Sequence, residues 1–231
     1  MKKKVVVLTG AGISAESGLS TFRDSDGMWE NYRVEDVCTP EALQKNPEVV
    51  LNFYNMLRHQ MVKASPNEGH RQLVRLEEYY DVRIITQNID DLHERAGSTN
   101  VLHLHGELNK GCSVDDLTLE VDLGNRDIQL GDKAPDGKQL RPFIVFFSEP
   151  VPNFEPASDL CEEADYFVVI GTSMVVYPAA GLIHYVPKDA SCYLVNPKSV
   201  TVSRPIKSFQ ECAGTGVKKV VDELIALAQQ E

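Results

Sequence analysis

An open parallel α/β sheet carrying a smaller inserted module is the architecture this sequence predicts, and three observations predict it. Four short apolar runs, at 5–8, 82–85, 166–170 and 192–195, each end in a polar or glycine-bearing turn: Thr9-Gly10, Thr86-Gln87-Asn88, Gly171-Thr172-Ser173 and Asn196-Pro197. Such runs fit buried strands, and the helical stretches between them supply parallel crossovers. The first run passes directly into Thr9-Gly10-Ala11-Gly12-Ile13-Ser14-Ala15-Glu16-Ser17-Gly18, a strand, glycine turn and helix opening of the kind that holds a diphosphate. Glycines permit the tight turn and let backbone N–H groups approach phosphate oxygens, which the positive end of a helix then faces.

Taken in order, the run at 5–8 is the first strand. The fingerprint of hydride-transfer enzymes places a third Gly or Ala three residues after the second glycine. Ala15 stands there and the next glycine is Gly18, so the loop reads as dinucleotide-binding but apart from the ordinary dehydrogenases. Residues 40–64 are helical in pattern and long enough for a pair of helices. Residues 110–140 are acidic, glycine-rich and short of large apolar groups. Both read as insertions, which leaves a discontinuous Rossmann-like domain (1–33, 69–109 and 141–231) and a small module (34–68 and 110–140). A run at 143–147 adds a strand, and a closing helix spans 216–229 with Val217, Val220, Val221, Leu224 and Leu227 on one face.

Composition narrows the function. The 231 residues, 42% hydrophobic and 25% charged, suit a globular protein with one substantial domain and a smaller one. A net charge of -11 argues against a nucleic-acid binder, which needs a basic stripe; it suits a partner that presents lysines, though plain solubility is the commoner reason for such acidity. Met1-Lys2-Lys3-Lys4 precedes too short an apolar stretch for a signal peptide, and no run spans a bilayer, so no membrane role is expected. Five scattered cysteines (Cys38, Cys112, Cys161, Cys192, Cys212) suggest reduced thiols in a cytoplasm.

Two segments carry chemistry. Thr86-Gln87-Asn88-Ile89-Asp90-Asp91-Leu92-His93 puts amides and a carboxylate past a strand end, where amides can read a carboxamide and a carboxylate can hold ribose hydroxyls. The competing structural explanation is a helix N-terminus capped by Asn88 or Asp90. His103-Leu104-His105-Gly106-Glu107 offers two imidazoles, either a general base or a structural group.

Residues 10–23 (Gly-Ala-Gly-Ile-Ser-Ala-Glu-Ser-Gly-Leu-Ser-Thr-Phe-Arg), Thr86-Gln87-Asn88-Ile89-Asp90, His105-Gly106, Gly171-Thr172-Ser173 and Tyr177-Pro178-Ala179-Ala180 together resemble the sirtuin NAD-dependent protein deacylases, in the family's order and at similar spacing. Asp26-Gly27-Met28-Trp29 and Pro66-Asn67-Glu68-Gly69-His70 look like the bacterial class III-type branch, and the resemblance is weakest between 109 and 140. It implies NAD as cofactor and acylated protein lysines as partners. The acyl oxygen attacks C1′ of the nicotinamide ribose, nicotinamide leaves, and the acyl group ends on ADP-ribose. His105, before the glycine, is the implied base, with His103 its decoy. Gly10, Ala11, Gly12, Ile13, Ser14, Glu16, Thr21, Phe22, Arg23 and Trp29 are implied around the diphosphate and nicotinamide, and Gln87, Asn88, Ile89 and Asp90 at the nicotinamide ribose. Gly171, Thr172 and Ser173 fall to the adenosine side, with Asn196, Pro197 and Lys198 at its ribose and Ala213 near the adenine. The peptide is expected as an added strand between 147–151 and 171–177, touching Phe147, Ser148, Glu149, Val151, Val175 and Tyr177. Tyr54 and Leu57 fall in the acyl pocket.

The chain departs from the family pattern in four places. Between Gly106 and Arg141 it has only Cys112, where most sirtuins carry two Cys-x-x-Cys pairs; a tetrahedral zinc needs four such ligands, so no metal is expected. The branch's Tyr-x-x-Arg is Tyr54-Asn55-Met56-Leu57, which predicts a neutral acyl pocket unless Arg58 substitutes. Ser148 replaces the glycine of Phe-Gly-Glu, and Lys198 stands where an acidic residue is common. A sirtuin-fold NAD glycohydrolase or ADP-ribosyltransferase, and a silent NAD-binding module, are the competing readings. The retained 175–178 segment argues against the first and intact Asn88, Asp90 and His105 against the second.

Overall fold

The apolar run at 5–8 becomes the centre of the larger sheet. In the computed structural model, which describes residues 2–20 and 32–230, strand β1 (Lys4–Thr9) is buried from Val5 to Thr9. Helices α1 (Val34–Val37), α2 (Pro40–Lys45), α3 (Pro47–Lys63) and α4 (Glu68–Leu76), strand β2 (Asp81–Thr86) and helix α5 (Leu92–Ala96) follow. Next come strands β3 (Val101–His103), β4 (Gly106–Ser113), β5 (Glu120–Asp122) and β6 (Leu140–Ile144), then helix α6 (Phe154–Glu162). Strands β7 (Tyr166–Ile170), β8 (Ser191–Val195) and β9 (Lys207–Phe209) and helix α7 (Ala213–Ala228) complete the described elements.

Six strands pair in parallel in the order β3-β2-β1-β7-β8-β9. Val5 and Val7 pack with Leu73 of α4 and Val217 and Leu224 of α7 on one face. Val6 and Leu8 pack with Ala157 and Cys161 of α6 and with Leu182 on the other. Successive side chains of a strand point to opposite faces, so a strand with a core on each side is apolar at every position. The strand order reverses between β1 and β7, and loops leaving a sheet at such a point bound a ligand crevice. The closing helix begins at Ala213, earlier than its apolar pattern, because Glu16 Oε2 accepts the Gly214 N–H at 2.7 Å and supplies the cap.

Residues 40–64 form the expected helix pair, α2 and α3, with Thr39 Oγ1 accepting the Ala42 N–H and Pro40 and Pro47 in the opening turns. They cover a small antiparallel sheet, β5-β4-β6. That sheet corrects two expectations. Residues 106–109 and 141–144, assigned from sequence to the larger domain, are paired in the smaller one: Gly106 opposite Ile144 and Glu107 opposite Phe143. Gly106 makes the crossing, since its φ is +86° and a Cβ there would lie 2.1 Å from Phe143 O. The strand expected at 143–147 ends at Ile144, because Phe146 turns inward to stack on Tyr54, with ring centroids 5.7 Å apart.

Candidate active site

Backbone packed on backbone floors the crevice between β1 and β7. Gly10 N–H donates to Ile170 O (3.0 Å), Gly12 N–H to Gly171 O (2.9 Å) and Gly171 N–H to Val195 O (2.9 Å). Gly171 has φ +63°, and a Cβ there would lie 2.4 Å from Ile13 N. These glycines therefore let two strand-end loops touch. Ala11 and Gly12 are half-buried, and Ile13 and Ser14 buried. The loop does not open into the expected helix within the described residues; it forms two one-turn 3-10 segments, Ala11–Ile13 and Ala15–Ser17. Glu16, expected at the cofactor, spends its carboxylate on α7, beside the buried Ala213. Thr21, Phe22, Arg23 and Trp29 lie outside the described residues.

The turn after β2 is tied to this loop through Ser14, whose hydroxyl donates to Asp90 Oδ2 (2.9 Å) and accepts from Asn88 Nδ2 (3.1 Å). Asp90 Oδ1 accepts the Leu92 N–H at 3.1 Å, so the carboxylate also steadies the start of α5. Asn88 and Asp90 are buried, and burial raises the Asp90 pKa. Gln87 N–H donates to Thr9 O at 2.9 Å, and Ile89 O accepts from Leu108 of β4 at 2.8 Å. The segment thus bridges the large sheet and the small one.

The two imidazoles sit in opposite electrostatic settings. His105 Nδ1 lies 3.0 Å from Gln87 O. A carbonyl only accepts, so Nδ1 carries the proton and Nε2 presents a lone pair. Burial holds the His105 pKa below the ordinary value, outweighing the Gln87 bond, and the ring is neutral at pH 7. His103 contacts Asn88 O through Nδ1 (3.2 Å) and Glu94 Oε1 through Nε2 (2.8 Å). Burial pulls its pKa down, but the hydrogen bond and charge of Glu94, then Glu107, prevail and hold it above the ordinary value.

Tyr54 is buried, its hydroxyl 3.1 Å from Cys38 Sγ and its ring on Phe146. Leu57 is half-buried in the same apolar cluster, with Cys38, Ile144 and Ile89. Arg58 is buried, with Nε donating to Leu108 O (2.7 Å) and Nη1 to Asn55 Oδ1 (2.8 Å), while its buried Nη2 meets no hydrogen-bond partner among the described residues. Phe147, Val175 and Tyr177 are exposed, large and apolar, with Tyr177 72% exposed. Val151 and Ser173 are half-buried, while Thr172 is buried and its Oγ1 accepts the Met174 N–H at 3.3 Å. Ser148 adopts φ +73°, a conformation natural to glycine. Glu149, expected at the peptide, faces inward instead. Its carboxylate takes both Arg141 Nη atoms (2.6 and 3.0 Å) and the Phe146 N–H (2.7 Å), fixing the turn on which Phe147 stands.

At the far end of the sheet Asn196 Nδ2 donates to Lys198 O at 2.7 Å, and both side chains line a small cleft with Ser199, Phe209 and Gln210. Pro197 between them is exposed. Asn67, read from sequence only as part of a family motif and given no role there, caps α4 with Oδ1 and gives Nδ2 to Ile13 O (2.7 Å) and Ser17 Oγ (2.9 Å). An Asn just before a helical pattern signals the cap, but not the loop it also holds. Among the described residues no group of three or more His, Cys, Asp or Glu is placed to hold a metal ion.

A parallel sheet whose switch point is lined by glycine, amide and carboxylate, with a neutral imidazole at the hinge to a smaller lobe, defines a two-lobed dinucleotide-using enzyme. The chain belongs to the Sir2 family, whose model matches residues 10–178. A protein from Bacteroides thetaiotaomicron named NAD-dependent protein deacylase is 52% identical over 230 residues, covering 96% of this chain and 98% of that one. One of the same name from Aggregatibacter actinomycetemcomitans is 55% identical, covering 90% and 100%. Among solved structures, a Sir2 homologue variant in complex with ADP-ribose superposes with a TM-score of 0.89 at 35% identity, covering 100% of this chain and 95% of that one. A Sir2 variant with a deacetylated p53 peptide and 3′-O-acetyl-ADP-ribose reaches 0.82 at 30% identity, covering 96% and 94%.

Proposed function

We propose that His105 is the general base of this NAD-dependent protein lysine deacylase, and that its acyl pocket takes uncharged groups. The enzyme transfers the acyl group of a protein lysine to ADP-ribose and releases nicotinamide. The donor set at the switch point suits the cofactor. Asn88 and Gln87 bring amides for a carboxamide, Asp90 a buried carboxylate for ribose hydroxyls, and the 10–14 and 171–173 loops backbone groups for the diphosphate and adenosine side. Bound NAD supplies an electrophilic ribose carbon with nicotinamide as leaving group, and a hydroxyl to receive the acyl group.

The single observation that carries the base assignment is the Nδ1–Gln87 contact, which leaves a neutral ring with Nε2 free to take a proton from that hydroxyl. Exposed Phe147, Val175 and Tyr177 support an extended peptide laid between the two loops, with affinity from backbone pairing. Five unpaired cysteines support a cytoplasmic setting. No described helix is long and apolar enough to cross a membrane.

The neutral pocket rests on Leu57, and on Arg58, on the same helix as Tyr54, giving Nε to Leu108 O of β4 and Nη1 to Asn55. An unpartnered succinyl carboxylate there loses the paired bonds an arginine gives, at a cost on the order of several kcal/mol. Acetyl-lysine peptides are expected to show higher kcat/KM than succinyl-lysine peptides, and Leu57→Arg to raise succinyl activity selectively. Faster removal of succinyl than acetyl by the wild type, lost in Arg58→Ala, would reverse the assignment.

A further inference from the structure

His103 lies outside the reaction as described, yet it is bonded to the same turn as the base. Gln87 O and Asn88 O are consecutive carbonyls: the first receives His105 Nδ1 at 3.0 Å, the second His103 Nδ1 at 3.2 Å. The other His103 nitrogen meets a carboxylate, Glu94 Oε1 at 2.8 Å. The His103 backbone is itself pinned, its carbonyl accepting from Asn153 Nδ2 at 2.7 Å.

We propose that His103 and Glu94 form a positioning pair: an imidazolium bridging Glu94 to Asn88 O that holds the 87–90 turn, and through it the ring of His105, in working orientation. The inference rests on His105 being the base. Carbonyl and carboxylate oxygens only accept, so both His103 nitrogens must carry protons for both contacts to stand. A neutral ring could keep only one. If the Asn88 contact goes, the turn loses a tie beside the carbonyl that fixes the His105 tautomer.

The surroundings fit a retained positive charge. Facing His103 are Glu94 and His93 from α5, Glu107 from β4 and Asp90 from the turn, while His70 of α4 bears on Glu94. The three carboxylates favour the imidazolium. His93 is neutral, kept so by burial, and His70 is likewise neutral with a pKa of about 4 from burial. In return the His103 charge draws the Asp90 pKa down against the burial that raises it, favouring the ionised carboxylate at the ribose-binding turn. Two neighbouring histidines thus take opposite states, one charged to hold and one neutral to accept a proton.

The test is the pH profile of kcat and kcat/KM for the wild type, Glu94→Gln and His105→Ala, beside a 15N NMR titration of His103. Glu94→Gln keeps an acceptor for Nε2 but removes the charge. The wild type is expected to show both His103 nitrogens protonated at pH 7. In Glu94→Gln the His103 pKa falls, kcat drops on the order of ten- to hundredfold at alkaline pH as a mispositioned base loses alignment, and activity recovers as the pH is lowered. Retained melting temperature and NAD affinity in that variant separate positioning from folding. A neutral His103 at pH 7, or an alkaline limb unmoved in Glu94→Gln while His105→Ala is inactive, overturns the pair alone. Full activity in His105→Ala overturns the pair together with the base assignment beneath it.

Discussion

At the scale of single residues the site turns on which nitrogen carries a proton. His105 gives Nδ1–H to a carbonyl and keeps Nε2 open, while both His103 nitrogens face acceptors. His105→Ala is therefore expected to lower turnover by about two to four orders of magnitude, the range for losing general-base help, with NAD affinity little changed. Near-normal turnover in that variant, with collapse in a variant of His103 alone, would show the wrong imidazole was chosen. Because burial depresses the His105 pKa, kcat/KM should rise with pH through a value below 6.5 and be flat at neutrality. The residues alone left the two histidines open, and the family resemblance favoured His105; the tautomers needed the partners, which come from the 87–88 turn and from Glu94 of α5, both earlier in the chain. Glu16 and Glu149 were legible as motif members, but Glu16 serves a helix end far along the chain, and Glu149 an arginine eight residues before it across a turn that the motif does not show. Ser148 is a local case: held at φ +73°, it pays about 1–2 kcal/mol for its Cβ, so Ser148→Gly should raise the melting temperature. An unchanged or lower value would mean that its side chain makes a compensating contact.

At the scale of elements, strand-end loops hold the site and their contacts are backbone to backbone. Gly171→Ala adds a Cβ 2.4 Å from Ile13 N at a residue with φ +63°, and neither neighbour is a movable side-chain tip. A stability loss on the order of 2 kcal/mol or more is expected, with NAD binding weakened, as read by denaturant melts and calorimetry. Wild-type stability in that variant would show that the loops do not meet so closely. Helices α4 and α5 meet through His70 and His93, with ring centroids 4.9 Å apart, both buried and neutral. The His70 pKa is about 4 when folded, against an ordinary 6.5. The unfolded chain therefore binds protons first, and stability is present above pH 6.5 and lost as pH falls toward 4. His103, with a raised pKa, acts with opposite sign: its contribution is present below 6.5 and lost above its own value. His70→Gln should flatten the acid decline in melting temperature, and parallel slopes for the two proteins would contradict this. Buried strands were legible because both faces are apolar. The strand at 140–144 was misplaced by three residues because Phe146 belongs to the core without belonging to the ladder.

At the scale of the whole molecule, two sheets of unlike kind meet at Gly106, and His105, the proposed base, sits one residue before the crossing. The smaller lobe is tied by Tyr54 on Phe146 and by the Asn55 side chain, which bonds Ile128 O (2.9 Å) and the Ile128 N–H (3.0 Å). With Cys112 alone between Gly106 and Arg141, elemental analysis is expected to find well below one zinc per chain, and chelators to leave the melting temperature unchanged. Stoichiometric zinc lost together with the fold would contradict that. The smaller antiparallel sheet was legible from the shift in composition at 110–140, but not its edges, because pairing across β4 and β6 joins residues that composition does not distinguish. In the proposed reaction nicotinamide leaves only when an acyl-lysine is there to receive ADP-ribose, with His105 moving the proton that lets the acyl group follow. The most direct measurement counts nicotinamide released and peptide deacylated in one reaction, with and without an acetyl-lysine peptide. A one-to-one ratio is expected with peptide, negligible release without it, and loss of deacylation in His105→Ala; rapid release from NAD alone would mark a glycohydrolase instead of a deacylase.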